Sequence, residues 1–368
     1  MFTLAAGPGS DLGAAPAATR VRVSRRFAAD AAASLHARSL EWLREPDGHP
    51  SDRWYDDAVM EEVIEFADDL GAGLVVLETL WLHGYIAPLQ ARGHTVILNA
   101  HGIEAALHDE LAERTPAPLA RTFAERTRRV EGRALSTADE VWVPSPRDIA
   151  TARERYGTEI RLRVVPNAID VDAYGRNNAD RRLPVASPAE SFTVVFTASF
   201  AYPPNVVAAH RLVTGIFSAL TATIPDARLL LVGRDPSPEL RGAAAADDRI
   251  EVTGFVDDVP AQLHRASAMA VPLSEGHGTR FKVLEAFASR VPVVGSAKGL
   301  EGIEAVANEH YLAAESDTEF AVALTSLARD STLVDRLTDN ALRLVRERYS
   351  LATVNESVAA SLAALSLR

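Results

Sequence analysis

Apolar positions along the chain follow two registers that alternate. Four short runs are apolar almost throughout: GLVVLET from Gly73, HTVILNA from His94, EVWVP from Glu140 and RLRVVP from Arg161. Runs of this length without an exposed alternate face predict strands buried on both sides. Between them the period lengthens to that of a helix. Val59, Val63, Phe66 and Leu70 share one side of a helix over 57–70, and further helices are predicted over 82–91, 103–135 and 146–156. Strands alternating with helices predict a parallel sheet covered on both faces, a doubly wound domain.

The rhythm breaks at NAIDVDAYGRNNADRRLPVASPAESF, where Pro, Asn, Asp and Gly cluster. It then restarts with TVVFTAS, ARLLLVG, RIEVTG, AMAVPL and VPVVGS as strands. Helices are predicted over 205–220, near Glu239, over 261–265 and over 282–289, and helices over 318–349 and 352–365 close the chain. We therefore expect an amino-terminal domain over 1–170, a linker over 171–190, a second α/β domain over 191–350, and a terminal helix over 351–368 that could pack back on the first domain. Ahead of these, Arg22, Arg25, Arg26, Arg38 and Arg44 lie on a stretch that looks helical from Phe27 onward, read as a solvated face or a basic surface.

Length agrees with two cores, since 368 residues exceed one ordinary domain. No apolar run approaches the eighteen or so residues that span a bilayer. The opening residues MFTLAAGPGSDLGAAPAATR lack the basic start and unbroken apolar segment of a secretory signal. The chain has no cysteine, which removes disulfides, iron–sulfur clusters, thiolate zinc sites and cysteine nucleophiles and fits a cytoplasmic setting. A net charge of -12 argues against a nucleic-acid partner, so an anionic ligand would need a local cluster of cations.

Such a cluster stands in EGHGTRFKVLEAF, directly after AMAVPL. Gly276 and Gly278 offer bare backbone between a strand and a helix, where N–H groups can meet an anion. Arg280 and Lys282 open the helix, although the helix dipole favours acidic residues there; a bound diphosphate would relieve that conflict. Glu285, three residues beyond Lys282, could accept hydrogen bonds from ribose hydroxyls, or the pair could be a surface ion pair. Glu275 and His277 could be donor contacts or solvated loop residues. Two other patterns are set aside. GPGSDLG over 7–13 has the wrong spacing for a dinucleotide fingerprint and no convincing strand before it, and the acidic pair of DVD over 170–172 falls in the linker.

The segment SEGHGTRFKVLEAFASRVPVVGSAKGLEGI resembles the donor-binding segment of family 4 glycosyltransferases, in the subgroup with G-x-G-T-R-x-K-x-x-E-A followed by P-V-V and G-x-E-G. PNAID over 166–170, PPN over 203–205 and RIEVTGFVDD over 249–258 agree in order with the end of that family's first domain, the first turn of its second, and its nucleobase loop. LNAHGIE resembles the subgroup's x-x-H-N-x-E turn, with Gly102 in place of Asn. The resemblance implies a GT-B fold, two Rossmann-like domains facing a central cleft, a nucleotide-sugar donor, retention of anomeric configuration and no metal. It implies catalytic roles for His101, facing the donor sugar from the opposite domain, and for Glu275, Arg280 and Lys282. Donor contacts would come from Gly276, His277, Gly278, Thr279, Arg280, Lys282, Val283 and Glu285, with Arg234, Asn205, Phe255 and Val256. Glu104, opening the next helix, is read as a cap. FTASFAYPPN lacks the cations many relatives carry after this strand, so Arg280 and Lys282 must supply the charge. The amino terminus departs from the family pattern, so acceptor recognition does not transfer.

These readings together predict a soluble retaining transferase that moves a sugar from a UDP- or GDP-linked donor to a small-molecule acceptor, as in natural-product biosynthesis. No cofactor, nucleic acid or integral membrane segment is expected, and a homodimer is left open. A lipid or polysaccharide acceptor, a non-catalytic GT-B partner, and an epimerase or hydrolase of the same architecture are the alternatives.

Overall fold

The computed structural model describes residues 2–4, 22–24, 41–43, 45, 47–114, 117–175, 191–276 and 280–366. The chain divides into two compact units, Met1–Val164 and Val165–Arg368.

In the first unit, β3 (Leu74–Leu77), β4 (Thr95–Asn99), β5 (Glu140–Val143) and β6 (Leu162–Val164) form a parallel sheet in that order. Two shorter strands, β1 (Phe2–Leu4) and β2 (Arg22–Ser24), pair in parallel. A strand therefore does precede Gly7, although residues 7–13 lie outside the described residues, as do Arg25, Arg26, Arg38 and Arg44. The helices are α1 (Asp57–Asp69), α2 (Ile86–Ala91), α3 (Glu104–Arg114), α4 (Pro118–Thr137) and α5 (Pro146–Tyr156). One expectation is corrected: the long helix over 103–135 is two helices. Pro116 and Pro118 lack backbone N–H groups, and a ring inside a helix clashes with the preceding turn, so Pro118 instead opens α4.

The first unit also holds a buried polar network that sequence reading did not foresee. His49, 2% exposed, stacks on Phe123 with ring centroids 5.3 Å apart. Its Nδ1 accepts the Ser51 amide at 3.2 Å, so Nε2 carries the proton and donates to Thr127 Oγ1 at 3.0 Å. Burial is the main cause that pushes the His49 pKa from 6.5 to about 4, with Asp52 opposing. The unfolded chain takes up this proton as pH falls through 6.5, and the native state takes it up only near 4. Stability is thus full above pH 6.5 and declines towards pH 4, by about 3 kcal/mol from this group. Chemical denaturation at neutral and acid pH should show that slope reduced in His49→Gln.

The second unit carries a six-stranded parallel sheet in the order β12-β11-β10-β7-β8-β9. Its strands are β7 (Thr193–Thr197), β8 (Arg228–Val232), β9 (Ile250–Val252), β10 (Ala268–Val271), β11 (Val293–Gly295) and β12 (Leu312–Ala313). The last was not predicted, being only two residues long. The helices are α6 (Val171–Gly175), α7 (Pro203–Arg211), α8 (Phe217–Thr221), α9 (Pro238–Ala246), α10 (Val259–Leu263), α11 (Phe281–Ala288), α12 (Asp317–Arg329), α13 (Ser331–Arg348) and α14 (Leu351–Ser366). A π-helical turn over Leu212–Ile216 joins α7 to α8. Asp330 caps α13 by accepting the Leu333 amide at 2.9 Å, which splits the expected 318–349 helix in two. The segment expected as linker begins with α6, which contacts α11. α14 belongs to this unit and contacts α13. Among the described residues, no helix is long and apolar enough to cross a membrane.

Candidate functional site

The carboxyl ends of β7, β8 and β9 converge on a pocket of about 320 Å³. In parallel sheets the loops diverge at these ends and leave room for a ligand. One wall is Thr197 to Ser199 and another is Val232 to Arg234. The loop after β9 contributes Phe255 and Val256, and Lys282 and Glu285 of α11 close the pocket. Arg234, Phe255, Val256, Lys282 and Glu285 were expected from sequence. Thr197, Ala198, Ser199 and Val259 were not.

α11 explains why Lys282 and Glu285 appear together. Val283, Leu284, Ala286, Phe287 and Ala288 are buried in the core, whereas Phe281 at the helix start is exposed. A three-residue step brings Lys282 and Glu285 to the same remaining face. Val283, expected as a donor contact, is corrected: it is 0% exposed and belongs to the core.

The Lys282 ammonium donates to Asn205 Oδ1 at 3.0 Å and lies 4.1 Å from the Phe196 ring centroid. The Asn205 amide nitrogen donates to the Ser199 carbonyl at 2.9 Å, which fixes its oxygen towards the lysine. This links the PPN turn to the pocket. Burial and the adjacent Arg280 charge push the Lys282 pKa down to about 7, against Glu285, which raises it. Burial likewise raises the Glu285 carboxyl, opposed by a hydrogen bond from Tyr174 and by the charge of Lys282.

Arg280 is placed otherwise than expected. It is 6% exposed. Its Nη2 donates to the Gly276 carbonyl at 2.7 Å and its Nε to the Lys298 carbonyl at 3.3 Å. It is not among the residues lining the pocket. A planar guanidinium with several donors suits bridging two carbonyls, so its charge is spent on holding the loop ends together. Gly276 is buried, and a Cβ there would come 2.9 Å from the Tyr202 hydroxyl, so the loop lies close against the PPN turn. Glu275 beside it is partly buried. His277, Gly278 and Thr279 lie outside the described residues.

Arg234 sits at the pocket mouth with its side chain 68% exposed, its Nε 3.4 Å from Ser199 Oγ. Phe255 is 71% exposed despite its size. An exposed aromatic beside a half-buried cation and carboxylate suits a ligand with a flat ring, a sugar diol and an anion.

In the first unit, His101 follows β4 and donates from Nε2 to the Glu78 carbonyl at 2.9 Å. The cap expected of Glu104 is supplied by another residue. Glu131 of α4, 1% exposed, accepts the Glu104 amide at 2.7 Å, the Ala105 amide at 3.2 Å and the Tyr156 hydroxyl at 2.7 Å. Burial first, then the Glu131 charge, pushes the Glu104 carboxyl up to about 7. No local signal marks Glu131, which lies 27 residues further along the chain.

Comparison with known proteins agrees with this picture. The family described as Glycosyl transferases group 1 matches residues 191–330. No curated protein matches the chain in sequence. Among solved structures, Anabaena HepE in complex with UDP is similar with a TM-score of 0.66 and 17% identity, over 83% of this chain and 82% of that one. The same protein in complex with UDP-glucose gives 0.63 and 17%, over 83% and 82%. Sucrose-phosphate synthase from Thermosynechococcus elongatus gives 0.63 and 20%, over 84% and 77%. At these identities the likeness shows the fold: parallel α/β with two Rossmann-like domains of the GT-B kind.

Proposed function

We propose that the chain is a retaining family 4 glycosyltransferase. It moves a sugar from a nucleotide diphosphate sugar to a soluble small-molecule acceptor, in the cytoplasm and in natural-product biosynthesis, without a metal. The observation that carries this reading is the pairing of Lys282 and Glu285 on one face of α11, lining one pocket with Arg234, Phe255 and Val256. The match of 191–330 to Glycosyl transferases group 1 supports the activity. HepE, captured with UDP and with UDP-glucose, favours UDP as the carrier.

On this reading Glu285 accepts hydrogen bonds from the ribose, Phe255 stacks on the base, and Lys282 meets the diphosphate. As the bond from the anomeric carbon to phosphate oxygen breaks, negative charge grows on the leaving diphosphate. Lys282 offsets it from a site already poor in water, where such a charge acts most strongly. The departing phosphate takes the acceptor's proton, so no side-chain base is needed. Glu275 and His101 are assigned to orienting the sugar hydroxyls. The test is transfer from a radiolabelled UDP-sugar by folded Lys282→Ala and Glu285→Ala variants, both expected to lose activity. Unchanged rates in both would overturn the reading.

Phe255→Ala gives a finer expectation. Its exposed ring contributes to ligand binding and little to the core, so UDP affinity should fall by about 0.5–1.5 kcal/mol, roughly two- to twelvefold, with the melting temperature of the free protein unchanged. Calorimetric titration and thermal unfolding check the two halves separately.

A further inference from the structure

We infer that Tyr174 is a positioning residue of the donor site, holding one oxygen of the Glu285 carboxylate so that the other is presented to the ribose. This rests on the function proposed above. The Tyr174 hydroxyl donates to Glu285 Oε1 at 2.9 Å. Among the described residues Oε2 accepts no hydrogen bond, and Glu285 lines the pocket. The carboxylate is thus divided, with one oxygen engaged by the protein and one left for a ligand.

Tyr174 is mounted firmly enough to do this. It stands in α6, which contacts α11. Ile169, five residues earlier, is 5% exposed and donates its amide to the Tyr349 carbonyl at 2.8 Å. Val171 is in the core, and the His264 ring lies 3.3 Å from the Tyr174 carbonyl. A glutamate carboxylate on a helix face can turn about three side-chain bonds unless something fixes it, and a rigid phenol does so at little entropic cost. Tyr174 is 111 residues from Glu285 in sequence, and its segment reads as linker, so nothing local announces the contact.

The charged and titratable groups around Glu285 are Lys282 and Arg280 at the start of its own helix, Tyr174 and Asp170 in the segment carrying α6, His264 at the Tyr174 carbonyl, and Arg234 in the same pocket. Of these, Tyr174 and Lys282 keep the carboxyl from rising further under burial. Ribose hydroxyls donate to the ionised carboxylate. Removing the phenol hydroxyl therefore does two things: it frees the carboxylate to rotate, and it raises the pH below which the carboxylate is neutral.

The experiment is calorimetric titration of the full chain with UDP and with 2′-deoxy-UDP, across acid and neutral pH, for the wild type, Tyr174→Phe, Glu285→Gln and the double variant. Tyr174→Phe is expected to bind UDP about three- to tenfold more weakly at neutral pH, with a smaller preference for UDP over the deoxy form. Its loss of affinity on acidification should set in at higher pH than in the wild type. In the Glu285→Gln background the same change should have little effect. Equal weakening of both nucleotides with an unmoved pH profile, or no weakening at all, would overturn the inference while leaving the donor site standing. A wild type that binds neither nucleotide would remove the donor site itself, and this inference with it. If Tyr174→Phe fails to fold, the acid limb of Glu285→Gln against the wild type still reports on the carboxylate, and Tyr174→His, which can donate, should restore the deoxy discrimination.

Discussion

Lys282→Met is expected to stabilise the free protein and to weaken its grip on a nucleoside diphosphate roughly ten- to hundredfold. The two effects have one cause. A lysine whose pKa is brought from 10.5 to about 7 is a charge held where water cannot solvate it well. The unfolded chain keeps that proton up to pH 10.5, whereas the native state gives it up near 7. The cost is therefore fully present below pH 7, and stability rises with pH between 7 and 10.5. A methionine fills the space without the charge. After allowing for partial exposure and for the lost bond to Asn205, the gain at pH 7 is about 1–3 kcal/mol. The diphosphate loses a charge-assisted hydrogen bond worth about 1.5–3 kcal/mol, and turnover loses about a hundredfold or more. Thermal unfolding with and without UDP reads both signs. A variant that melts lower and still responds to UDP would contradict the argument.

Gly233→Ala is expected to collapse the pocket. Gly233 has φ +148°, and its Cβ would fall 1.6 Å from the Ala198 carbonyl oxygen. That oxygen cannot retreat cheaply, because Ala198 is bound to the Val232 carbonyl at 2.8 Å while Gly233 itself donates to Gly254 at 3.1 Å. Backbone must move against backbone, at a cost of about 3 kcal/mol or more, with the β7 and β8 ends displaced and nucleotide binding lost. Gly157→Ala is the control. It shares a positive φ of +93°, yet its Cβ would meet nothing within 4 Å, so the change should cost only about 1 kcal/mol. Urea unfolding of the two variants measures the difference that steric contact makes.

Much of this was legible in the chain. Strands buried on both faces read as unbroken apolar runs, which is why the parallel sheets could be drawn from GLVVLET, TVVFTAS and ARLLLVG. The spacing of Lys282 and Glu285 marked them as a pair near a helix start, and both line one pocket. What failed had physical reasons. Helical periodicity runs through residues 103–135 as though the chain were continuous, but Pro118 has no amide to continue the ladder. Arg280 and Lys282 look equivalent as cations beside a helix start. Arg280 precedes the first helical residue, where its long fork reaches carbonyls at Gly276 and Lys298 that no sequence pattern reveals. Val283, one residue from Lys282, is turned about 100° around the helix axis and so points into the core. Glu131 and Tyr174 act across long sequence separations, where only the fold brings partners together.

On the proposed function, the pocket at the ends of β7 to β9 holds a nucleoside diphosphate. The most direct measurement is a thermal-shift titration of the protein with UDP, GDP, ADP and dTDP in the presence of a chelator, repeated with Lys282→Ala. A ligand that binds only the native state raises the melting temperature with its concentration. A dose-dependent rise with UDP that disappears in the variant is expected. Absence of a shift with all four nucleotides, or a shift that survives in Lys282→Ala, would contradict it.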